Sequence, residues 1–301
     1  MIDKSPFWQN GSPVNRRKFI RVTTRAVAGS MLAGGIYSAV EAKEIQVTRF
    51  AVALPNLPRA FHGKTVAFLS DIHHSIVVPR SYIEHVVNLT NSLSPDIVIL
   101  GGDYVTSGPK YGWLHGATYI ESCFDMLKKL TSKLGCFAVT GNHDMHVGIE
   151  KIYAAIAGTG IRNINNTGVW LTLDGQRMRI CGVEDLRTQK PDVKLALGDA
   201  TDKDAVILVS HNPDVAEQKI EDARVGFTLS GHTHGGQVVL PFIGAPIVGL
   251  CSDYGQKYRY GMVQGPRCGV YVTSGVGTLP PAFRLNCYPE VALITLTSPF
   301  V

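Results

Sequence analysis

The chain has 301 residues, of which 45% are hydrophobic and 18% are charged. This composition excludes a disordered chain and a coiled coil, and the length suffices for one large domain with a hydrophobic core. The net charge of +5 lies mostly in residues 1–42, which carry six basic and two acidic side chains and leave only +1 for the rest. Because a nucleic-acid-binding protein needs clustered basic charge on its folded part, the sequence argues against nucleic acid as a partner.

The first 42 residues have the pattern of an export signal. The pair Arg16-Arg17 precedes an apolar segment of small side chains over residues 26–40. That segment is shorter than the roughly 20 residues that span a bilayer, but Val40-Glu41-Ala42 fits the −3 and −1 positions of a cleavage site. It resembles a bacterial twin-arginine leader, which implies the twin-arginine export machinery as a partner and a periplasmic or other extracytoplasmic location. A Sec-type signal and an uncleaved anchor, which would attach the protein to a membrane surface, are the alternatives.

From residue 43 onward, short apolar runs alternate with helical periodicity. A buried strand is predicted over residues 64–70, followed by an amphipathic helix with apolar positions between residues 83 and 93. Further along come a strand over 96–100, a helix over 120–130 and a strand over 136–140. This alternation predicts βαβ units and an α/β fold.

The second half of the chain is predicted to be mostly strands. They cover residues 178–183, 205–209, 226–229, 237–240, 270–273 and 291–296. Few helical periods separate them, so we expect a second sheet with mixed or antiparallel pairing. With no linker or internal repeat, residues 43–301 are predicted to form one domain.

Polar side chains that can bind metal ions come directly after the predicted strands. They are Asp71, His73, Asp103, Asn142, His143, His211, His232 and His234. Since α/β sheets place their sites at the carboxyl ends of strands, we expect these side chains to meet in one site. The set contains no thiolate, which argues against a closed structural zinc site. It favours manganese, iron, zinc or nickel.

The number of these ligands favours two divalent ions. One four- to six-coordinate ion that keeps an open position needs fewer than seven ligands. Two ions that share a carboxylate would use seven. Two metal ions about 3.5–4 Å apart recur in enzymes that attack phosphorus in line. Their four positive charges exceed the two negative charges of Asp71 and Asp103, so the site would attract phosphate and lower the pKa of a bound water.

Five short motifs, present in order, resemble those of calcineurin-like metallophosphoesterases. They are Asp71-Ile72-His73, Gly102-Asp103, Gly141-Asn142-His143-Asp144, Ser210-His211 and Gly231-His232-Thr233-His234. Each motif is weak alone, but the five together are specific. With the leader and residues 284–287, the whole chain is similar to the bacterial YaeI/YkuE-type phosphodiesterase branch.

This resemblance implies a four-layer αββα sandwich of two mixed β-sheets. The ligands it implies are Asp71, His73 and His234 for a first metal ion, Asn142, His211 and His232 for a second, and Asp103 as the bridge. His143 would act as general acid or stabilise transition-state charge while a metal-bridging hydroxide attacks phosphorus. Asp144 would orient His143, cap the following helix, or do both.

The identity of the substrate is open at this stage. His74 and Arg284 are weaker candidates for substrate contact. The alternative for His74 is a solvent-exposed loop residue, and for Arg284 an ion pair on the surface. Residues 241–250 and 276–283 are apolar, which suggests either a rim for a lipid-bearing substrate or membrane surface, or ordinary loop packing.

The resemblance points to a phosphodiesterase or pyrophosphatase in phospholipid or lipid A metabolism. Nucleotide diphosphates and lipid-linked substrates of the UDP-2,3-diacylglucosamine type are implied. A UDP-sugar lipid lies at the cytoplasmic face and would require an uncleaved anchor rather than export. A phosphomonoesterase that scavenges phosphate outside the membrane is the second enzyme hypothesis. A catalytically silent scaffold is the non-enzyme hypothesis, and the complete ligand set argues against it.

Overall fold

The computed structural model contains two six-stranded β-sheets and describes residues 35, 37–221 and 224–298. Nearly all of the predicted leader, residues 1–34 and 36, lies outside the described residues. The first sheet has the order β1 (Gln46–Ala53), β12 (Glu290–Thr297), β2 (Thr65–Leu69), β3 (Ile97–Leu100), β4 (Cys136–Ala138) and β5 (Arg162–Asn163). The second has the order β10 (Gly261–Gln264), β11 (Gly269–Val272), β9 (Phe227–Ser230), β8 (Val206–Val209), β7 (Gln176–Gly182) and β6 (Thr167–Leu173).

Both sheets are mixed, as predicted. Strands β2 to β5 are parallel, and β12 runs antiparallel to β2 and parallel to β1. In the second sheet β7, β8, β9 and β11 are parallel, whereas β6 and β10 pair antiparallel at the two edges. The carboxyl ends of the parallel strands are therefore available to form a site.

The hydrophobic core lies in three layers, which confirms the four-layer αββα architecture. Helices α1 (Arg80–Ser92), α2 (Ile120–Leu127) and α3 (Asn142–Ala157) cover the first sheet, and α4 (Val193–Leu197) and α5 (Val215–Gln218) cover the second. Strand β2 shows how the layers arise, because Val66 and Phe68 face the second sheet while Ala67 and Leu69 face the helices. A strand buried on both faces is apolar at every position.

The predicted strands match the central strands of both sheets, with one exception. The prediction over residues 237–240 was wrong, since this segment makes only isolated bridges. Gln237 has a positive φ of 55°, and Pro241 has no N–H with which to extend a ladder. All four strands that were not predicted, β1, β5, β6 and β10, lie at sheet edges. Edge strands keep partly exposed side chains and so lack a continuous apolar run.

Two further facts bear on the predicted membrane attachment. No helix among the described residues is long and apolar enough to cross a bilayer. Residues 37–41, at the end of the predicted leader, are helical and hydrogen-bond to the segment 284–288.

Candidate metal centre

Five loops bring the predicted ligands together at the edge where the two sheets meet. Asp71 and His73 follow β2, Asp103 follows β3, Asn142 and His143 follow β4, His211 follows β8, and His232 and His234 follow β9. The Asp71 N–H donates to Gly102 O at 2.9 Å and the Gly231 N–H to His211 O at 3.0 Å, so neighbouring loops support one another. The structure brings seven of these side chains into three overlapping groups: Asp71, His73 and His234; His73, Asp103 and His143; and Asp103, His211 and His232.

The backbone of this region is strained at the predicted ligands themselves. Asp71, His73, Asp103, His232 and His234 all have positive φ, between 51° and 70°. Such a conformation is uncommon for residues other than glycine, costs on the order of 1 kcal/mol or more, and concentrates at functional sites. Close packing adds a further constraint, because a Cβ at position 141 would overlap the Asp103 carboxylate and the His211 ring. Only glycine fits there.

One group of donor atoms surrounds His234. Its Nε2 lies 3.0 Å from His73 Nε2 and 3.5 Å from Asp71 Oδ1. His73 Nε2 in turn lies 3.5 Å from Asp103 Oδ2. Donors that bind one ion at about 2.1 Å and at right angles to one another are about 3.0 Å apart. These separations therefore fit a first metal ion.

A second group contains the same Asp103 oxygen. His211 Nε2 lies 3.2 Å from Asp103 Oδ2 and 3.2 Å from His232 Nδ1. Asn142 Oδ1 is buried and has no hydrogen-bond partner among the described residues. An unpaired buried oxygen is costly unless a cation or water meets it. The shared oxygen places Asp103 between the two groups, in the position of a bridging ligand.

The protonation states suit metal binding. Burial lowers the pKa of His73, His234 and His232, the last to about 3, so these rings are neutral and can bind a cation. His211 differs, because Asp103 outweighs the effect of burial and raises the pKa of its ring well above the usual value. Its Nδ1 lies 2.8 Å from Gly101 O and takes that carbonyl as partner, which directs Nε2 at Asp103. A metal ion would compete with a proton for Nε2.

His143 faces the cluster with a defined ring nitrogen. The Ser107 N–H donates to His143 Nδ1 at 3.0 Å, so the proton of the neutral ring is on Nε2. That Nε2 lies 4.0 Å from Asp103 Oδ2. Burial lowers the pKa of the ring, which favours a neutral hydrogen-bond donor over an imidazolium. Between the two predicted roles, this geometry favours stabilisation of developing charge on a substrate oxygen.

The carboxylate of Asp144 is engaged by the main chain instead of by His143. It accepts hydrogen bonds from the N–H groups of Asp103 at 2.8 Å, Tyr104 at 2.9 Å and Gly141 at 2.9 Å. Its bond to Gly141 N–H is the capping interaction at the start of α3. The structure therefore places Asp144 as the support of the Asp103 loop, and the Ser107 N–H orients His143.

Replacing Asp144 by Ala should destabilise the fold by about 3 kcal/mol or more, since three buried N–H groups would lose their acceptor at about 1–3 kcal/mol each. Denaturant unfolding measures this loss. Asp144→Asn is the matched control, because its remaining oxygen still accepts and the loss should be smaller. An Ala variant as stable as the unmodified protein would contradict the assignment.

The two weaker candidates for substrate contact lie inside the protein. His74 is 2% exposed, and its ring nitrogens lie 2.8 Å from Val78 O and 2.7 Å from Ser122 Oγ. Arg284 is fully buried and donates to main-chain carbonyls, among them Gly277 O at 2.6 Å and Ser274 O at 2.8 Å. Neither side chain is available to a substrate, so the structure assigns both to loop support.

Asp185 is a site-proximal carboxylate that the sequence prediction missed. Its Oδ2 accepts from Arg187 N–H at 3.0 Å and Thr188 N–H at 2.9 Å, while its Oδ1 is buried without a partner among the described residues. Its charge is one of those that raise the pKa of His211. Asp185 follows β7 as Asp71 follows β2, so the signal that singled out the predicted ligands was present here too.

A four-layer αββα sandwich with carboxylate and imidazole ligands at one edge defines the metallophosphoesterases. The chain belongs to the calcineurin-like phosphoesterases, whose family model matches residues 64–236. These enzymes use divalent metal ions, and the chain is accordingly a phosphoester hydrolase.

Two bacterial relatives cover nearly the whole chain. The uncharacterized metallophosphoesterase YkuE of Bacillus subtilis is 31% identical over 95% of this chain and 98% of its own length. Phosphodiesterase YaeI of Escherichia coli is 30% identical over 94% of this chain and 99% of its own length. Among solved structures, a dimetal phosphatase from Danio rerio matches 73% of this chain and 90% of its own, with a TM-score of 0.43 and 9% identity.

Proposed function

We propose that the protein is a binuclear metal-dependent phosphodiesterase or pyrophosphatase that acts on a lipid-linked or nucleotide-diphosphate substrate. The observation that carries this proposal is the Asp103 carboxylate, whose Oδ2 belongs to both groups of converging donor atoms. Two divalent ions held there would supply positive charge for phosphate binding and an activated water.

The chain contributes the ligands and one hydrogen-bond donor. The proposed ligands are Asp71, His73 and His234 for one ion, Asn142, His211 and His232 for the other, and Asp103 for both. His143 Nε2–H would donate to a phosphoryl or leaving-group oxygen, because it faces the same cluster.

An exposed apolar loop beside the centre supports a lipid-bearing substrate. In this apolar rim, residues 241–250, the side chains of Phe242, Ile243, Ile247 and Leu250 are exposed. Ser252 follows the rim, and its hydroxyl donates to Asp214 at 2.5 Å. Asp214 lies three residues after His211, so this contact joins the end of the rim to the loop that carries a proposed ligand. Because these large apolar side chains do not pack into the core, an acyl chain or a lipid surface is their proposed partner.

The proposed location is outside the cytoplasmic membrane, with attachment to it. The Arg16-Arg17 pair and the apolar residues 26–40 support export by the twin-arginine machinery. The apolar rim supports a position at a membrane surface.

Hydrolysis of two simple esters separates the candidate functions. The full chain, stripped of metal and reloaded with manganese, should cleave bis-p-nitrophenyl phosphate faster than p-nitrophenyl phosphate, and a chelator should abolish both activities. Preference for the monoester would favour the phosphate-scavenging phosphomonoesterase. Two bound metal ions with no hydrolysis of either ester, or of a lipid diphosphate, would contradict the proposal.

Replacing Phe242 and Leu250 together by Ser should lower kcat/KM on a long-chain acyl phosphodiester by about 160-fold, because burying each side chain contributes about 1.5 kcal/mol, or about 3 kcal/mol for the pair. Hydrolysis of bis-p-nitrophenyl phosphate should not change. Met262→Ser is the matched control, since Met262 is 55% exposed on the edge strand β10. An equal loss on both substrates would show that the rim supports the fold and does not bind lipid.

A further inference from the structure

The predicted cleavage site lies in folded structure. Ser38, Glu41 and Ala42 are only 7%, 1% and 8% exposed. Ala42 N–H donates to Ser38 O at 3.1 Å and Lys43 N–H to Val40 O at 3.0 Å, so the chain is coiled in a helical turn here. Proteolysis takes place in exposed and poorly ordered backbone. Val40 is 59% exposed, but the buried Glu41 and Ala42 and the helical backbone keep this segment out of the exposed, irregular conformation in which cleavage takes place.

The same segment is hydrogen-bonded to the loop that precedes β12. Ser38 O accepts from the Arg284 N–H at 3.0 Å, and Glu41 Oε1 accepts from the Cys287 N–H at 2.5 Å. The Tyr37 and Tyr288 hydroxyls lie 3.2 Å apart. Burying a carboxylate is costly unless it is hydrogen-bonded. Glu41 thus offsets part of this cost by satisfying a buried N–H.

Cys287 links this segment to the proposed metal ligand His234. Its thiol donates to His234 O at 3.2 Å and approaches Gly235 O at 3.5 Å. A Cβ at Gly235 would lie 2.6 Å from the Cys287 sulfur, so thiol and backbone are in direct contact. His234 and Gly235 both have positive φ, 52° and 60°. A turn in this conformation is held by its surroundings, and Cys287 is part of them.

We propose that residues 38–42 remain part of the mature enzyme, in which Glu41 positions the metal ligand His234 through Cys287. This inference rests on the proposed role of His234 as a ligand. Glu41 is a positioning residue, since it acts through the Cys287 N–H and the His234 backbone.

The first test measures the mass of the mature protein that the cell produces. The full chain is produced in a bacterial host with twin-arginine export, and the folded protein of each cell fraction is measured by intact mass spectrometry. We expect every folded species to contain residues 38–42. A folded species that begins at Lys43 and holds two metal ions would overturn the proposal.

The second test measures metal affinity without substrate. In the uncleaved full chain, Glu41→Ala should weaken the binding of one of two manganese ions by about 10- to 100-fold, as loss of a supporting contact to a ligand does. Glu41→Gln retains Oε1 as an acceptor and should bind both ions nearly normally. Glu44→Ala changes an exposed glutamate in the same segment and should have no effect.

The outcomes separate positioning from stability and from the proposed function. If Glu41→Ala binds both manganese ions with normal affinity, the positioning role is overturned. It is also overturned if the variant binds both ions more weakly to the same extent and unfolds at a lower temperature. If Glu41→Ala does not fold, Cys287→Ala carries the test, because it removes the thiol donor and leaves the Glu41 contact to the main chain. Selective loss of one ion in a protein inactive on all diesters would sustain this inference while refuting the proposed function.

Discussion

Replacing Asp103 by Asn is expected to slow phosphoester hydrolysis by about 1,000-fold and to reduce the metal content below two ions per chain. Asp103 Oδ2 lies 3.2 Å from His211 Nε2 and 3.5 Å from His73 Nε2, so the variant changes the one oxygen that both groups share. The amide has nearly the same shape but carries no charge. Metal-centred charge stabilisation contributes several kcal/mol. A loss of about 4 kcal/mol corresponds to a fall of about 1,000-fold in kcat.

Metal analysis and initial rates on bis-p-nitrophenyl phosphate check this expectation. Asp96→Asn is the matched control, because Asp96 lies at the opposite end of β3, immediately before the strand, whereas Asp103 follows it. The Asp96 carboxylate accepts a hydrogen bond from the Thr65 N–H at 2.9 Å. That variant should lose some stability and keep both metal ions and its kcat. An Asp103→Asn protein with unchanged metal content and rate would remove Asp103 from the site. Unchanged metal content in a chain that hydrolyses no ester, before or after the substitution, would instead revive the silent-scaffold hypothesis.

The centre of the fold could be predicted from the sequence because its strands are buried on both faces. In β2 and β3 every residue after Thr65 is apolar and buried, which the apolar runs signal directly. The edge strand β1 pairs only with β12, so its neighbour comes from the other end of the chain and its own residues alternate in exposure. No local pattern of residues encodes that pairing.

The ligand positions followed from the same logic, whereas the roles of the supporting residues did not. Each proposed ligand follows a predicted strand, so position and residue type sufficed to group them. The resemblance implied that Asp144 orients His143, with helix capping as a further role, and the structure shows the cap. The other partners of Asp144, the N–H groups of Asp103 and Tyr104, are some 40 residues away. For Arg284 the sequence offered substrate phosphate or a surface ion pair, and both were wrong, because the carbonyls that surround its buried side chain are visible only in three dimensions.

Replacing His143 by Ala should lower kcat by about 10²- to 10³-fold while both metal ions remain bound, the range typical of losing one positioned hydrogen-bond donor to a developing charge. His143 is 8% exposed and lies with its ring 4.6 Å from that of His73, so it borders the metal ligands. The proposed ligand set does not include it. Activity should therefore fall without loss of metal, which distinguishes this variant from Asp103→Asn. His85→Ala, at an exposed position on α1, is the control and should change neither quantity.

The dependence on the leaving group then identifies which oxygen His143 contacts. The Ser107 N–H fixes the proton of the neutral ring on Nε2. A neutral imidazole can donate a hydrogen bond to a substrate oxygen, but it does not readily transfer its proton to that oxygen. Stabilisation of a non-bridging phosphoryl oxygen predicts nearly the same loss for p-nitrophenyl and alkyl diesters. General acid catalysis predicts a much larger loss for the alkyl diester, because its leaving oxygen needs the proton. We expect the first result, and the second would mean that the ring is charged when substrate is bound.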